Sequence, residues 1–61
     1  MIKISDLTEN DVNCKVIYKP EFGLQQEGRI TSWNNSFIFV DYDNTGRGAA
    51  TRPEDLNFIS Y

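Results

Sequence analysis

The stretch GRITSWNNSFIFVDYDN, residues 28–44, holds seven large apolar or aromatic side chains: Ile30, Trp33, Phe37, Ile38, Phe39, Val40 and Tyr42. A β-strand turns successive side chains to opposite faces, so this many bulky groups need two strands and a decision about which side each one takes. Two runs rich in β-branched and aromatic residues, broken at 34–36 by Asn, Asn and Ser, read as a β-hairpin. With residues 34–36 as a three-residue loop, an Asn or the Ser takes the left-handed conformation that such loops need. Trp33 then faces Phe37, Ser32 faces Ile38, Thr31 faces Phe39 and Ile30 faces Val40. One surface collects Ile30, Ile38, Val40 and Tyr42, and the other collects Trp33, Phe37 and Phe39 with Thr31. A two-residue loop would pair Ile30 with Phe39 and mix the two sets. A slip of one residue turns every side chain over, so the register that sorts aliphatic from aromatic is the expected one.

Outward from the hairpin, turn-forming residues recur at 8–13, 20–23, 43–48 and 53–55, and short segments rich in Val, Ile, Phe and Tyr lie between them. Short strands at this spacing predict a small antiparallel sandwich or barrel. Near the start, ISDLTEND holds one helical turn with Thr8 as N-cap and the carboxylates of Glu9 and Asp11 at its positive end, while Leu7 staples it to the core. CKVIYK is the first strand, with Val16 and Tyr18 on one face and Ile17 on the other, and Pro20 ends it because proline cannot donate to a ladder. DNTGRG is a flexible turn and AATR a short strand. PED is one 3-10 turn with Pro53 at the first helical position, where its missing N–H costs nothing. Leu56 then enters the core, and NFISY, residues 57–61, closes as the last strand through Phe58 or Ile59. Five strands with one turn before the last favour an all-β, SH3-like antiparallel barrel over an OB-fold, which needs more chain.

At 61 residues the chain forms a single domain, residues 1–61, and one this short buries only about 60% of the surface it exposes when unfolded. A hydrophobic content of 39% with 25% charged residues is nevertheless that of a folding chain rather than a disordered one. The only cysteine, Cys14, rules out an intrachain disulfide, leaves its thiol free or paired between chains, and fits a reducing cytoplasm. No apolar run approaches a membrane span, and the start lacks the long apolar centre of a signal peptide, so a mature intracellular protein without membrane contact is expected. The formal charge of −3 opposes general attraction to phosphate backbones.

The order of elements in VNCKVIYKP, EGRITSWNNSFIFVDYDN and ATRPEDLNFI resembles the SH3-like barrel superfamily, including its Tudor and KOW-type modules. It is closer still to short uncharacterised proteins of bacteriophages and prophages with an EG-x-I/V-T-S-x-N hairpin followed by A-T-x-P-E-D-L. The likeness covers residues 11–59. It implies the barrel and a viral or prophage source, and it implies no established activity. Tudor modules hold methylated Lys or Arg in a cage of rings, whose faces attract a cation. By position Tyr18, Tyr42 and Asn44 match such a cage, but Gln25, Gln26 and Glu27 stand where a further aromatic is expected.

Catalysis finds no footing in the sequence. There is no histidine, the commonest general base and metal ligand, and one cysteine cannot build a zinc site. No metal or other cofactor is expected, and the protein is read as a non-enzyme. The rings of Trp33, Phe37 and Phe39, with Thr31, are the leading partner-binding candidate, because exposed aromatics gather at interface hot spots. The competing reading has them cover the barrel's open end or pack beneath the N-terminal turn through Leu7 and Ile4. Arg29, Arg47 and Arg52, with Lys15 and Lys19, would contact phosphate on one side of the barrel, or else pair with Glu27, Glu54 and Asp55 as ordinary surface charges. The expectation is a non-catalytic protein-binding module, a phage or prophage accessory protein contacting a host or phage protein or a second copy of itself. The alternatives are a KOW-like nucleic-acid-binding module and a small structural virion component.

Overall fold

The computed structural model describes residues 1–59. Five strands, β1 (Lys15–Tyr18), β2 (Gln26–Trp33), β3 (Ile38–Asp41), β4 (Ala49–Thr51) and β5 (Leu56–Phe58), alternate with three 3-10 turns, η1 (Ile4–Asp6), η2 (Glu9–Asp11) and η3 (Pro53–Asp55). The strands form one antiparallel sheet in the order β4-β3-β2-β1-β5. The protein is therefore all-β, as the spacing of its turns predicts. A flat five-stranded sheet would be a slab, whereas this chain measures 29 × 25 × 23 Å, so the sheet curls round its own core. Its two outermost strands, β4 and β5, are consecutive in the chain and joined through η3, an arrangement compatible with an SH3-like barrel. The expected extension of the last strand into residues 60–61 lies outside the described residues.

The hairpin differs from its expected register in an instructive way. Ile30 does pair with Val40 and Arg29 with Asp41, but beyond them Ser32 pairs with Phe39 and Trp33 with Ile38, with a bulge between Ile30 and Ser32. The cause lies at the tip. The side-chain Oδ1 of Asn34 accepts from the N–H groups of Ser36 and Phe37 at 2.8 and 2.7 Å, and the N–H of Asn34 donates to the carbonyl of Phe37 at 2.9 Å. This Asx-type turn encloses four residues instead of three, so Phe37 belongs to the loop. β2 then holds one residue too many, and Thr31 absorbs it as the bulge, its hydroxyl donating to the carbonyl of Phe39 at 3.0 Å. Past the bulge the alternation of faces is reset: Trp33 shares a face with buried Ile38 and packs against the core. The expected surface of Trp33, Phe37 and Phe39 is thus divided between the two faces and the loop.

The core consists of Ile2, Val16, Ile30, Ile38, Val40 and Leu56, with Ile4, Leu7, Tyr18, Trp33 and Tyr42 packed round it. Val16 and Tyr18 share the inner face of β1 and Leu7 anchors the N-terminal turns, as the sequence leads one to expect. Thr8 caps η2 in a reciprocal capping box, its own N–H donating to the carboxylate of Asp11 at 2.8 Å, which satisfies donors that a turn start otherwise leaves bare. Ile2 is an unexpected member of the core. It is pinned by its N–H donating to the carbonyl of Pro53 at 3.0 Å, while the amino group of Met1 donates to Oδ1 of Asn57.

Gly28 sits where β2 passes closest to β3. A Cβ there would lie 2.5 Å from Val40 Cγ1 and 2.8 Å from the carbonyl of Asp41, closer than real contacts allow. A domain of 61 residues commands roughly 3–9 kcal/mol of stability, so single core changes are decisive. Ile30→Ala is expected to cost about 2–5 kcal/mol and Gly28→Ala about 1–3 kcal/mol, read as a fall in the urea midpoint followed by circular dichroism. An unchanged midpoint in Gly28→Ala would show that the strands do not approach as described.

Candidate functional site

Tyr18 ends β1, Gln26 begins β2 and Tyr42 follows β3, and the curl of the sheet brings all three alongside the whole of β4 and Arg52. Together they line a cleft of about 300 Å³. The rings of Tyr18 and Tyr42 meet edge to face with centroids 6.2 Å apart, an arrangement favoured by their opposed quadrupoles. The hydroxyl of Tyr42 is hydrogen-bonded to Oγ1 of Thr51 at 2.7 Å, and the Thr51 hydroxyl also donates to the carbonyl of Ala49 at 3.1 Å. Thr51 is a polar residue only 6% exposed, and these bonds are what make its burial tolerable. The cleft floor is consequently a held geometry in which both rings are fixed by packing.

Residues 19–25 form the loop linking Tyr18 to Gln26, both of which line this cleft. Phe22 and Leu24 lie on this loop 87% and 85% exposed. Large apolar groups this fully in water are a cost the fold does not recover. Sequence reasoning treats residues 20–23 as a simple turn and so passes over both. The available signal is the presence of two bulky apolar residues in EFGLQQ, a segment that otherwise has the composition of a solvated loop.

The residues expected to form sites are distributed as follows. Tyr18 and Tyr42 do come together, but Asn44 does not join them. It takes a left-handed backbone conformation, φ 59°, in the turn after β3 and lines a separate groove with Lys15, Glu27, Gly28, Arg29 and Asp41. Of the three expected cage residues the structure thus brings together the two rings and places Asn44 elsewhere. Trp33 lines a shallow hollow of about 230 Å³ with Val12, Thr31 and Ser32. Phe37 stands 41% exposed at the hairpin tip. Phe39 is half-buried on the other face, opposite Ser32 and Ala50, where the backbone of Gly48 runs so close that a Cβ would lie 2.7 Å from the Cβ of Phe39.

The arginines do not converge. Arg29 pairs across the strands with Asp41 in the mixed-charge groove, whereas Arg47 and Arg52 flank β4. Arg52 donates through Nε to Glu54 Oε1 at 3.0 Å, both side chains remaining well exposed, so the pair contributes little to stability. The carboxylate of Asp41 is engaged in shaping the following turn, accepting from the N–H groups of Gly46 at 3.0 Å and Asp43 at 3.3 Å. The Thr45 hydroxyl, donating at 2.7 Å, holds the carboxyl of exposed Asp43 below its ordinary range. Among the described residues no three His, Cys, Asp or Glu side chains come together as a metal site requires, and no helix is long and apolar enough to cross a membrane.

Burial pushes the Tyr42 phenol above its ordinary value of 10.0, partly opposed by the bond to Thr51 and reinforced by Tyr18. The folded state thus holds this proton more tightly than the unfolded chain. Its contribution is fully present below pH 10 and is lost as pH rises through the folded value. Tyr42→Phe is expected to cost about 1 kcal/mol at neutral pH through the lost hydrogen bond and to flatten the alkaline fall in stability, both measured by urea unfolding across pH. An alkaline fall as steep as that of the wild type would show that another group causes it. No family model, curated protein or solved structure matches the chain.

Proposed function

We propose that this protein is a non-catalytic protein-binding module whose partner covers the Tyr18–Tyr42 cleft and the loop that follows Tyr18, acting in a reducing cytoplasm where Cys14 stays a thiol. The observation that carries this reading is the near-complete exposure of Phe22 and Leu24 on a loop whose two ends are cleft residues. An isolated exposed apolar side chain needs no explanation, but two on one loop strung between residues of an aromatic-lined concavity offer the anchors and the pocket of a contact site. The absence of histidine from the sequence and the engagement of Asp41 and Asp43 in turn geometry support a binding role over a chemical one. The mixed charge around Arg29 and the pairing of Arg52 with Glu54 give no continuous basic track, so the nucleic-acid alternative draws no support from the geometry.

The test is affinity capture from cell extract with the wild type, with a Phe22→Ser/Leu24→Ser double variant and with Phe37→Ser, alongside sedimentation to detect self-association. Both loop side chains are solvent-exposed, so the double variant should unfold within about 0.5 kcal/mol of the wild type. It should lose its retained partner, or its own dimerisation, by roughly 2 kcal/mol, about thirtyfold in Kd. Phe37→Ser should bind as the wild type does. Loss of binding in Phe37→Ser with retention in the double variant would return the contact to the hairpin tip and overturn the assignment.

A further inference from the structure

The sheet has two edges, and they are treated differently. On the β5 side, Met1 bonds to Asn57 and Ile2 to the carbonyl of Pro53, so the N-terminal segment lies along that flank. On the other side β4 is the last strand: β3 takes its inner edge, and among the described residues no backbone hydrogen bond reaches its outer one. Proteins usually blunt an open edge by keeping the strand short or by placing a lysine, a proline or a bulge within it. β4 is short, three residues, but has none of the others. Its residues Ala49 and Ala50 are exposed and carry only methyl groups, which leave the backbone open to approach.

Two further features indicate what would pair there. The cleft of about 300 Å³ is lined by all three residues of β4 together with Tyr18 and Tyr42, so an added strand would bring an apolar side chain towards two rings. Arg47 and Arg52 stand at the two ends of β4, and among the described residues Glu54 is the one acid bound to either. These charges argue against a second copy. Antiparallel self-pairing centred on Ala50 would set Arg52 opposite Gly48 and Arg47 opposite Pro53, giving neither arginine a carboxylate opposite it. They favour a strand with carboxylates at both ends. At about 3.3 Å per residue the arginines' spacing matches acidic residues about five positions apart.

We infer that the outer edge of β4 accepts an extended segment of a protein partner, acidic at both ends and with an apolar side chain between, by strand addition. This rests on the reading of the cleft as a protein-binding site and adds the partner's conformation and charge. Exposed arginine–glutamate pairs are held weakly, so Arg52 can exchange Glu54 for an incoming carboxylate.

The experiment uses labelled six-residue peptides, capped at both termini, with glutamate at each end and every combination of valine, threonine and phenylalanine between. A matched set has lysine at each end. Fluorescence anisotropy should show the best glutamate-ended peptides binding at least tenfold more tightly than their lysine-ended counterparts, with affinity falling as salt rises, and Arg47→Glu/Arg52→Glu should invert that preference. N-methylation of one alternating set of peptide amides should abolish binding while methylation of the other set leaves it intact, because an added strand uses every second N–H. Amide exchange should slow about tenfold on binding at the β4 amides that face the outer edge, which alternate with those already bonded to β3. The inference is overturned if no peptide binds at millimolar concentration, if both sets bind alike, or if N-methylation has no effect at either set. Absent peptide binding, with partner capture still lost in the Phe22→Ser/Leu24→Ser variant, would remove the strand and leave the binding module standing.

Discussion

The pairing of Ile30 with Val40 is the constraint from which the rest of the structure follows. Both side chains are fully buried and both stand on central strands. Between them they fix which face of β2 and β3 is interior, and through β1 and β4 which face of every other strand joins it. A core this small has no second layer to compensate for a misplaced residue. The chain therefore holds this one pair in register and lets irregularity accumulate on either side of it, in the four-residue turn and in the bulge at Thr31.

That division explains what could be read in the sequence. The alternation of Val16 and Tyr18, the inward set Ile30, Ile38, Val40 and Tyr42, the cap at Thr8, the turn at Pro53 and the burial of Leu56 all follow from residue type at fixed spacing, and all are found. The hairpin tip was not legible because it depends on the side chain of Asn34, whose single oxygen accepts two amide bonds. A sequence shows that an asparagine can do this but not which of the neighbouring Asn34, Asn35 and Ser36 will. The consequence was large: one extra loop residue moved Trp33 from the outer face to the inner one.

The candidate site was half legible for a related reason. Tyr18 and Tyr42 are matched with one another through the resemblance to a Tudor cage, and the structure brings them together with Tyr18 at the end of β1 and Tyr42 just past β3. Phe22 and Leu24 could not be placed, because a loop has no phase: nothing in EFGLQQ states whether its apolar residues fold back on the barrel or stand away from it. The open edge of β4 is a property of strand order, which is decided by pairings between distant segments. Where local rules govern, in strand faces and caps, sequence and structure agree. Where a single hydrogen bond or a long-range pairing governs, they part.

The strand order also bears on how the protein is made. β1 leaves the ribosome well before its second neighbour, β5. The β2–β3–β4 meander joins segments that follow one another and can assemble as soon as it clears the exit tunnel. β1 must wait with Val16 and Ile17 bare on one flank until residues 56–58 emerge. Closing so long a stretch of chain is the slow step expected of non-local β-pairing. Completion of the globule thus waits for residues 56–58, and stalling before they emerge would leave a nascent chain with one flank of its first strand open, a natural point of surveillance by chaperones.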